Sequence, residues 1–336
     1  MNLYLGVDVG SVTTKYALVN EEKKVLSSCY LKTSGDPITA LKEGLTLIKR
    51  HFPSDGEIRG VGTTGSARHL AGVVVGADVV KNEITAHAVA AITLIPEVRT
   101  IFEIGGQDSK LIIIRNRVVE DFAMNTICAA GTGSFLEHQA DRLRIPIEEF
   151  GKLAFEARQS VRIAGRCTVF AESDMIHKQQ LGFGKPEIIK GLCEALVRNF
   201  INNLATGKNI EVPIVFQGGV AANQGIVRAF KDFFQGKKTI IVPEEHGIMG
   251  AWGVAILSMG HERESTVFQG FDVIHKNFEN RSFTCEDCPN NCEIVILKEE
   301  EKIKALWGSR CGKWVPDLVE RKLVETEDVL LEYSEK

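Results

Sequence analysis

The sequence lacks long apolar runs, an excess of positive charge and low-complexity segments. No run approaches the ~18 apolar residues that a membrane-spanning helix needs. Lys and Arg number 40 against 44 Asp and Glu, a formal net charge of -4, so no basic field is available to hold a nucleic-acid backbone. There is no collagen-like, Gln-rich or Pro-rich stretch. We therefore expect a globular protein with no nucleic-acid and no membrane partner.

We expect no secretory leader, because the first residues show no basic region, long apolar run or small-residue cleavage site. The expected location is the cytoplasm, where thiols stay reduced. The eight cysteines are therefore not expected to form disulfides, and their paired spacings indicate metal sites instead. A length of 336 residues suits two domains with an appendage.

A P-loop is also missing, since no Gly-x-x-x-x-Gly-Lys-Ser/Thr motif occurs. The chain instead contains one strand-turn-strand pattern twice. The tips read Asp8-Val-Gly-Ser-Val-Thr-Thr-Lys15 and Glu103-Ile-Gly-Gly-Gln-Asp-Ser-Lys110. In each copy an acid is followed by a glycine two residues later, a hydroxyl six later and a lysine seven later. The shared register predicts a duplication, with a chance coincidence of common turn glycines as the alternative.

Apolar residues at helical and at strand spacing alternate along the rest of the chain, which predicts an α/β fold. Helices are expected over residues 37–52, 83–95, 147–157 and 186–206, and from residue 247 onward. Strands are expected over residues 58–65, 117–124, 213–216 and 238–242. Cys29 and Cys193 lie in such periodic segments and are expected to be core residues.

Residues 125–135 place Cys128 ahead of a Gly131-Thr132-Gly133 turn that opens an amphipathic helix. Such a turn offers free backbone N–H groups and a positive helix end to an anion. We therefore expect a phosphate site beside a thiol. The alternative for Cys128 is a small buried side chain. A second cysteine, Cys167, also precedes an expected helix, whose positive end would stabilise a thiolate.

The order of these turns resembles the motifs of the actin, sugar-kinase and Hsp70 superfamily, with a further glycine turn from Gly218 to Asn223. The resemblance implies two ribonuclease-H-like domains that clasp ATP and Mg²⁺ between them. Domain I is expected over residues 1–94 plus 243–262 and domain II over 95–242, followed by a Cys-rich extension, 263–336. The matching positions are, for the first phosphate motif, Asp8, Gly10, Ser11, Thr13, Thr14 and Lys15; for the second, Glu103, Gly105, Gly106, Gln107 and Asp108; and for adenosine, Gly218, Gly219 and Asn223.

Three of these residues are the catalytic candidates. Carboxylates such as those of Asp8 and Asp108 hold hydrated Mg²⁺, while backbone N–H groups and hydroxyls embrace the phosphates. Gln107 is a candidate for orienting the attacking water, with an ordinary surface glutamine as the alternative.

Five segments carry a closer resemblance; they begin at Gly6, Phe102, Cys128, Gly165 and Gln217 and fall within residues 1–260. They resemble the ATP-dependent activators of 2-hydroxyacyl-CoA dehydratases, in the family that also holds the ATPase subunits of benzoyl-CoA reductase. The resemblance implies a homodimer that shares one four-iron four-sulfur (4Fe-4S) cluster, because such a cluster takes four thiolates and each chain supplies two, from Cys128 and Cys167.

The same resemblance implies a function, ATP-driven transfer of one low-potential electron into a partner metalloenzyme. Reduced ferredoxin or flavodoxin is the expected donor. Two other functions stay open on the residues alone. One is a small-molecule kinase, for a sugar or an N-acyl amino sugar, with Asp108 as the base; the other is an ATP-switched scaffold without enzymatic activity. The kinase explains neither Cys128 nor Cys167, and in the scaffold the C-terminal extension would be a zinc-held docking element.

The C-terminal extension carries Cys285, Cys288, Cys292 and Cys311. This four-thiolate spacing predicts a metal site, for zinc or for a second iron–sulfur cluster, with free thiols as the alternative. Residues 293–297 and 302–307 are expected to form a small hairpin. Such an extension resembles the reductases of double-cubane cluster proteins more than the short dehydratase activators.

Overall fold

The computed structural model describes residues 1–125, 128–261, 264–300 and 302–314. Strands and helices alternate in it, as the periodicity predicts. The strands are β1 Asn2–Val9, β2 Thr13–Asn20, β3 Val25–Lys32, β4 Glu57–Thr64, β5 Val79–Val80, β6 Thr100–Ile104, β7 Ser109–Arg115, β8 Val118–Asn125, β9 Ile214–Gln217, β10 Ile240–Ile241, β11 Phe278–Thr284, β12 Glu293–Glu299 and β13 Lys302–Trp307. The helices are α1 Pro37–Arg50, α2 Arg68–Val75, α3 Glu83–Leu94, α4 Gly133–Leu143, α5 Ile147–Leu153, α6 Thr168–Gln180, α7 Lys185–Leu204, α8 Gln224–Phe233 and α9 Met249–Ser258.

Two five-stranded sheets share one topology. The first has the order β3-β2-β1-β4-β5 and the second the order β10-β9-β6-β7-β8. In each, the first three strands in sequence are antiparallel and the last two join them in parallel. β1 to β5 therefore correspond one by one to β6 to β10. This correspondence supports the duplication that the repeated tips predict.

The two halves differ at one connection. In the first half, residues 33–36 join β3 to α1. In the second half, residues 126–184 lie between β8 and the corresponding helix, α7, and they include α4, α5 and α6. Cys128 and Cys167 both belong to this longer connection.

Small residues let α9 pack unusually close to its neighbours. A Cβ atom on Gly253 would lie 1.8 Å from the carbonyl oxygen of Ala86 in α3, and one on Gly6 would lie 1.8 Å from that of Ala251 in α9. The apolar cluster around this contact contains residues of β2, α3, β6, β7 and α9. α3 and α9 therefore share one core with strands of both sheets.

The C-terminal extension forms a third, antiparallel sheet in the order β11-β12-β13. The predicted hairpin is confirmed as β12 and β13, whereas β11 and α2 were not predicted. The extension is packed into the first half, because Leu297 and Ala305 belong to the same apolar cluster as α1 and β1. Phe271 meets Phe52 edge to face, with ring centroids 5.2 Å apart. Within the described ranges, no helix is long and apolar enough to span a membrane.

Candidate functional site

The two repeated tips have the same turn geometry. Gly10 N–H donates to Thr13 O at 3.0 Å, and Gly105 N–H donates to Asp108 O, also at 3.0 Å. These bonds close equivalent turns at the ends of the β1–β2 and β6–β7 hairpins. A Cβ atom on Gly106 would lie 2.9 Å from the Val12 side chain. The two tips are therefore in contact, and only glycine fits at this approach.

The acid and the lysine of each repeat pair across their hairpin. Asp8 is the strand partner of Lys15, and Lys15 Nζ lies 3.2 Å from the Asp8 carboxylate. Glu103 is the strand partner of Lys110, with Lys110 Nζ 2.8 Å from the Glu103 carboxylate. The seven-residue spacing in the sequence thus corresponds to a cross-strand ion pair in both halves.

Lys110 binds two further carboxylates. Its Nζ lies 2.7 Å from Glu83 Oε2 and 2.8 Å from Asp108 Oδ2, while its side chain is only 1% exposed. Burial lowers the pKa of Lys110, but the attraction of the three carboxylates outweighs burial and raises it. Burial raises the pKa of Glu83 and of Glu103, although Lys110 acts in the opposite direction.

A cavity of about 210 Å³ lies between the tips. It is lined by Asp8, Gly10, Ser11, Val12, Thr13, Lys15, Ser66, Glu83, His87, Glu103, Gly105, Gly106, Gln107, Asp108 and Lys110. Four of these residues are carboxylates and two are ammonium groups, so full ionisation leaves a surplus of negative charge. Carboxylate oxygens are the ligands that Mg²⁺ prefers, and this surplus suits a divalent cation.

Two lining residues come from α3 and were not predicted as site residues. Glu83 is placed by the cap of α3, where Asn82 Oδ1 accepts the Thr85 N–H at 2.9 Å. His87 is buried, and its Nδ1 lies 2.9 Å from Gln217 Nε2. Burial first, and then Lys110, lower the pKa of His87 to about 4.

Thr14 is the one residue of the first phosphate motif that does not line this cavity. Its side chain is fully buried, and its hydroxyl lies 2.9 Å from the hydroxyl of Thr33. Thr33 Oγ1 in turn donates to Gly10 O at 2.8 Å. Thr14 is therefore placed to support the first tip from behind rather than to contact a ligand directly.

A larger cavity of about 410 Å³ continues from the smaller one, because both are lined by Val12, Thr13, Gly105 and Gly106. The expected adenosine residues Gly219 and Asn223 line it, and so does Gly133. Gly218, Gly131 and Thr132 are not among its lining residues.

Tyr30 lies opposite the adenosine turn. A Cβ atom on Gly219 would lie 2.8 Å from the Tyr30 hydroxyl, and Lys15 Nζ lies 5.8 Å from the centre of the Tyr30 ring. Tyr30 belongs to β3, at the edge of the first sheet. Nothing in its own segment of sequence indicates this position.

The glycine turn after Cys128 does not offer its N–H groups to a ligand as expected. Gly133 N–H donates to Gly105 O and Ser134 N–H to Gly106 O, both at 2.8 Å. The Ser134 hydroxyl also donates to Gly106 O, at 2.6 Å. The prediction of free N–H groups is therefore wrong for these two residues. Their N–H groups bind the start of α4 to the second tip.

Cys128 and Cys167 lie in neighbouring loops. Cys128 immediately precedes a 3₁₀ helix, Ala129–Gly131, and Cys167 immediately precedes α6. Cys128 Sγ lies 3.9 Å from the carbonyl oxygen of Arg166. Both thiols are partly exposed, so the alternative of a small buried side chain does not hold for Cys128. Cys193 is buried as predicted, and burial raises its pKa to about 12.

Asn199 of α7 lies between the two thiol-bearing loops. Its Nδ2 donates to Gly165 O at 2.5 Å, and a Cβ atom on Gly131 would lie 2.6 Å from its Oδ1. The side chain is 3% exposed. Its position inside a regular apolar helix explains why the sequence pattern did not single it out.

The four thiols of the extension lie at one end of its sheet. Cys285 N–H donates to Cys292 O at 2.8 Å. Cys285 Sγ is buried and accepts the indole N–H of Trp314 at 3.3 Å. Lys313 binds Asp287, which brings the Cys311 segment towards the first three cysteines. In the part of the chain that the structure describes, no group of three or more His, Cys, Asp or Glu is arranged to hold a metal.

Residues 5–256 match the BadF/BadG/BcrA/BcrD ATPase family. The (R)-2-hydroxyglutaryl-CoA dehydratase activating ATPase of Acidaminococcus fermentans is 32% identical over 257 residues, which cover 75% of this chain and 96% of that protein. The activator of lactoyl-CoA dehydratase of Anaerotignum propionicum is 34% identical over 258 residues, covering 75% of this chain and 95% of that protein.

A solved structure of similar fold is the activator of the 2-hydroxyisocaproyl-CoA dehydratase from Clostridium difficile with bound ADPNP. It matches with a TM-score of 0.67 at 30% identity, over 76% of this chain and 94% of that one. The predicted actin, sugar-kinase and Hsp70-like ATPase fold is confirmed by this match.

Proposed function

Because the chain belongs to the BadF/BadG/BcrA/BcrD ATPase family, we propose that it is an ATP-dependent iron–sulfur reductase. In this proposal it couples ATP hydrolysis to the transfer of one low-potential electron into a partner metalloenzyme. The relatives named above are activators of dehydratases, which supports an electron-accepting partner of that kind. A partner of the double-cubane cluster type is the second possibility, suggested by the extension.

One observation carries the proposal: the turn that follows Cys128 is hydrogen-bonded to the second tip of the cleft. Gly133 and Ser134 reach Gly105 and Gly106 through two backbone bonds and one hydroxyl bond. A displacement of the tip on nucleotide binding is therefore passed directly to the thiol-bearing loop. A kinase would have no use for this link.

The cleft supplies the residues for ATP binding. We propose that residues 1–94 with 243–262 and residues 95–242 close on ATP as two domains, with adenosine against Gly219 and Asn223. The phosphates would lie between the tips, where Asp8 and Asp108 hold hydrated Mg²⁺. Gln107 is exposed and lines the smaller cavity, which suits the positioning of the attacking water.

The chemistry of the donors fits an iron–sulfur cluster. Two partly exposed thiols in adjacent loops, each preceding a helix, are half of the four thiolates that such a cluster takes. A second copy of the chain would supply the other half. When bound, a cluster would store one electron at low potential. Asn199 would hold the two loops in register, and the N-terminal end of α6 would stabilise the thiolate of Cys167.

For the extension we propose a separate metal centre, with Cys285, Cys288, Cys292 and Cys311 as ligands. The spacing of the thiols and their position at one end of the sheet support it. To act as a ligand, Cys285 would lose the thiol proton that it donates to Asp287 Oδ2 at 3.2 Å, while the bond from the Trp314 indole N–H could persist on the thiolate sulfur. Elemental analysis of a variant with both Cys285→Ser and Cys288→Ser would show whether zinc, iron or neither is lost.

The decisive test is anaerobic purification followed by measurement of iron, acid-labile sulfide and oligomeric state. We expect a brown dimer that dithionite bleaches and that hydrolyses ATP while reducing an acceptor protein. Cys128→Ser should lose the chromophore and the dimer, whereas the control Cys29→Ser should keep both. A colourless protein that phosphorylates a sugar would contradict the proposal in favour of the kinase.

A further inference from the structure

An open groove of about 540 Å³ runs beside Cys167. It is lined by residues of the loop before Cys167 and of α6, namely Arg162, Ala164, Gly165, Arg166, Phe170, Asp174 and Lys178. Arg166 immediately precedes Cys167, and its carbonyl oxygen lies 3.9 Å from Cys128 Sγ. The groove therefore reaches the surface at the thiol pair.

Three cations line this groove, and within the described ranges none of them forms an ion pair. Arg162 and Arg166 are exposed, and Lys178 Nζ lies 5.9 Å from the centre of the Phe183 ring. The one carboxylate present, that of Asp174, accepts the Ala164 N–H at 2.8 Å. The negative charge of Asp174 is therefore partly offset by this backbone hydrogen bond. With three cations against one carboxylate, the groove is locally basic.

A fourth cation lies behind the groove. Arg198 donates to Ile163 O at 2.7 Å. Burial first, and also the charge of Arg162, lower the pKa of Arg198, although Glu194 acts to raise it. The chain as a whole has a formal net charge of -4. Because Glu194 Oε2 lies 3.8 Å from Arg198 Nη1, the positive charge beside the thiols comes from Arg162, Arg166 and Lys178, against the negative average of the molecule.

The charge of the groove limits what can cover it. In the proposed dimer the second copy meets the chain at Cys128 and Cys167, and the groove flanks that contact. Two grooves facing each other would oppose like charges at close range. An acidic protein surface would instead be attracted. Phe170, which is 65% exposed, adds an apolar contact of the kind that anchors protein interfaces.

The two thiol loops also differ in their connections. The hydrogen bonds to the second tip come from the Cys128 side, through Gly133 and Ser134. The bonds of the Cys167 side go instead to α7, from Asn199 to Gly165 O and from Arg198 to Ile163 O. The Cys167 side is thus anchored to α7, and the Cys128 side to the second tip.

We propose that the groove formed by Arg162, Arg166, Phe170 and Lys178 is the docking surface for an acidic one-electron carrier protein that reloads the centre at Cys128 and Cys167. The inference rests on the proposed function, since it assigns the donor side of the same reaction. The transfer is a single electron from the reduced carrier to the centre, with no bond made or broken.

The test compares the double variant Arg162→Glu/Lys178→Glu with Lys231→Glu/Lys237→Glu, which changes the net charge equally but uses exposed lysines on α8 and after it. Flavodoxin is the probe. Its Kd for the anaerobically purified protein is measured at low and high salt, and its hydroquinone is used to follow the reduction rate. Dithionite gives the total reducible centre.

At low salt we expect the groove variant to have a Kd for flavodoxin roughly 10–100-fold higher and a reduction rate lower by a similar factor. Both quantities should depend little on salt concentration in this variant. The control pair should behave like the unmodified protein, and dithionite should reduce both variants to the same extent. Equal flavodoxin affinities and rates in the two variants would overturn the assignment of the groove alone. A monomeric groove variant, or one impaired only towards the electron-accepting enzyme, would also overturn it. Failure of dithionite to reduce anything in the unmodified protein would instead contradict the proposed function.

Discussion

His87 lies at the point where α3, α9 and the first tip meet. A Cβ atom on Gly250 would lie 2.7 Å from Asp8 Oδ2 and 3.4 Å from His87 Nε2, so both side chains converge on the same backbone position of α9. If the Gln217 amide donates to Nδ1, the neutral ring carries its proton on Nε2, the nitrogen that approaches this position. A neutral His87 adds no charge to a cavity that already holds four carboxylates and two ammonium groups.

His87 makes the stability of the protein dependent on pH. Its pKa is about 4 in the folded chain and about 6.5 when unfolded. The unfolded chain therefore binds a proton that the folded chain does not. Stability from this residue is present above pH 6.5 and is lost as the pH falls towards 4. We expect its contribution to the free energy of unfolding to be about 2 kcal/mol smaller at pH 5 than at pH 7.

Urea unfolding at both pH values measures this effect. His87→Gln should show a smaller loss of stability between pH 7 and pH 5 than the unmodified protein. The exposed His177 provides the control, because His177→Gln should keep the full loss. Identical pH dependence in His87→Gln and the unmodified chain would contradict the expectation.

At the scale of elements, the beginning of α4 links the cleft to the thiols. Ser134→Ala removes the hydroxyl bond to Gly106 O but keeps the backbone bond. A neutral hydrogen bond contributes about 1 kcal/mol. We therefore expect the factor by which ATP changes the alkylation rate of Cys128 to fall about fivefold. ATP affinity should change much less.

The alkylation rate of Cys128 in iron-free protein, followed by peptide mapping with and without ATP, measures this influence. Ser173→Ala is a matched control, because the Ser173 hydroxyl bonds only to Val169 O in its own helix. A Ser134→Ala protein in which ATP still changes the alkylation of Cys128 to the full extent would exclude the hydroxyl bond as the link.

The contact between α9 and α3 is the second test at this scale. Gly253→Ala would place a Cβ atom 1.8 Å from Ala86 O, and α3 carries both Glu83 and His87. We expect a loss of stability of about 1–3 kcal/mol or more together with weaker ATP binding. Gly260→Ala is the control, since its Cβ atom would have no neighbour closer than 3.9 Å. Thermal unfolding gives the stability of the two variants, and nucleotide titration gives their ATP affinity. Equal melting temperatures and equal affinities for Gly253→Ala and Gly260→Ala would contradict the close-packing argument.

The elements also show what the sequence can and cannot predict. The register of the two tips is predictable because Asp8 and Lys15, like Glu103 and Lys110, belong to a single hairpin. Glu83 is not predictable in the same way, because the packing of α3 against α9 brings it to Lys110. Local chemistry is encoded within a turn, whereas the meeting of separate elements depends on the whole core.

The error at the turn after Cys128 has the same origin. A glycine turn before a helix does present N–H groups at the helix end, and the local sequence is enough to predict them. The carbonyl groups that accept the N–H groups of Gly133 and Ser134 belong to Gly105 and Gly106, in another hairpin. No spacing within residues 125–135 indicates those partners.

At the scale of the whole molecule, the extension and the first half stabilise each other. Phe271 lies 5.2 Å from Phe52 and 5.7 Å from Phe268, measured between ring centroids. Leu297 and Ala305 complete the same apolar cluster. The extension therefore shares a hydrophobic core with the first half and is not a separately packed domain.

Phe271→Ala tests this dependence. We expect a loss of about 2 kcal/mol in the free energy of unfolding, since a partly buried aromatic ring costs less to remove than a fully buried one. Denaturant unfolding measures the loss, and ATP affinity should be retained under native conditions. Phe122→Ala, at a side chain that is 50% exposed, should have little effect. An unchanged midpoint for Phe271→Ala would mean that the extension folds independently.

Residues 126–184 interrupt only the second of two otherwise equivalent halves, at a connection whose counterpart spans residues 33–36. Cys128 and Cys167 both lie in that longer segment. Thr33 of the short counterpart bonds to Gly10 O of the first tip, as Ser134 of the longer segment bonds to Gly106 O of the second. Both connections therefore brace a tip, but only the longer one carries thiols. A variant shortened to the length of residues 33–36 would lose Cys128 and Cys167 together and keep the pair of matching tips.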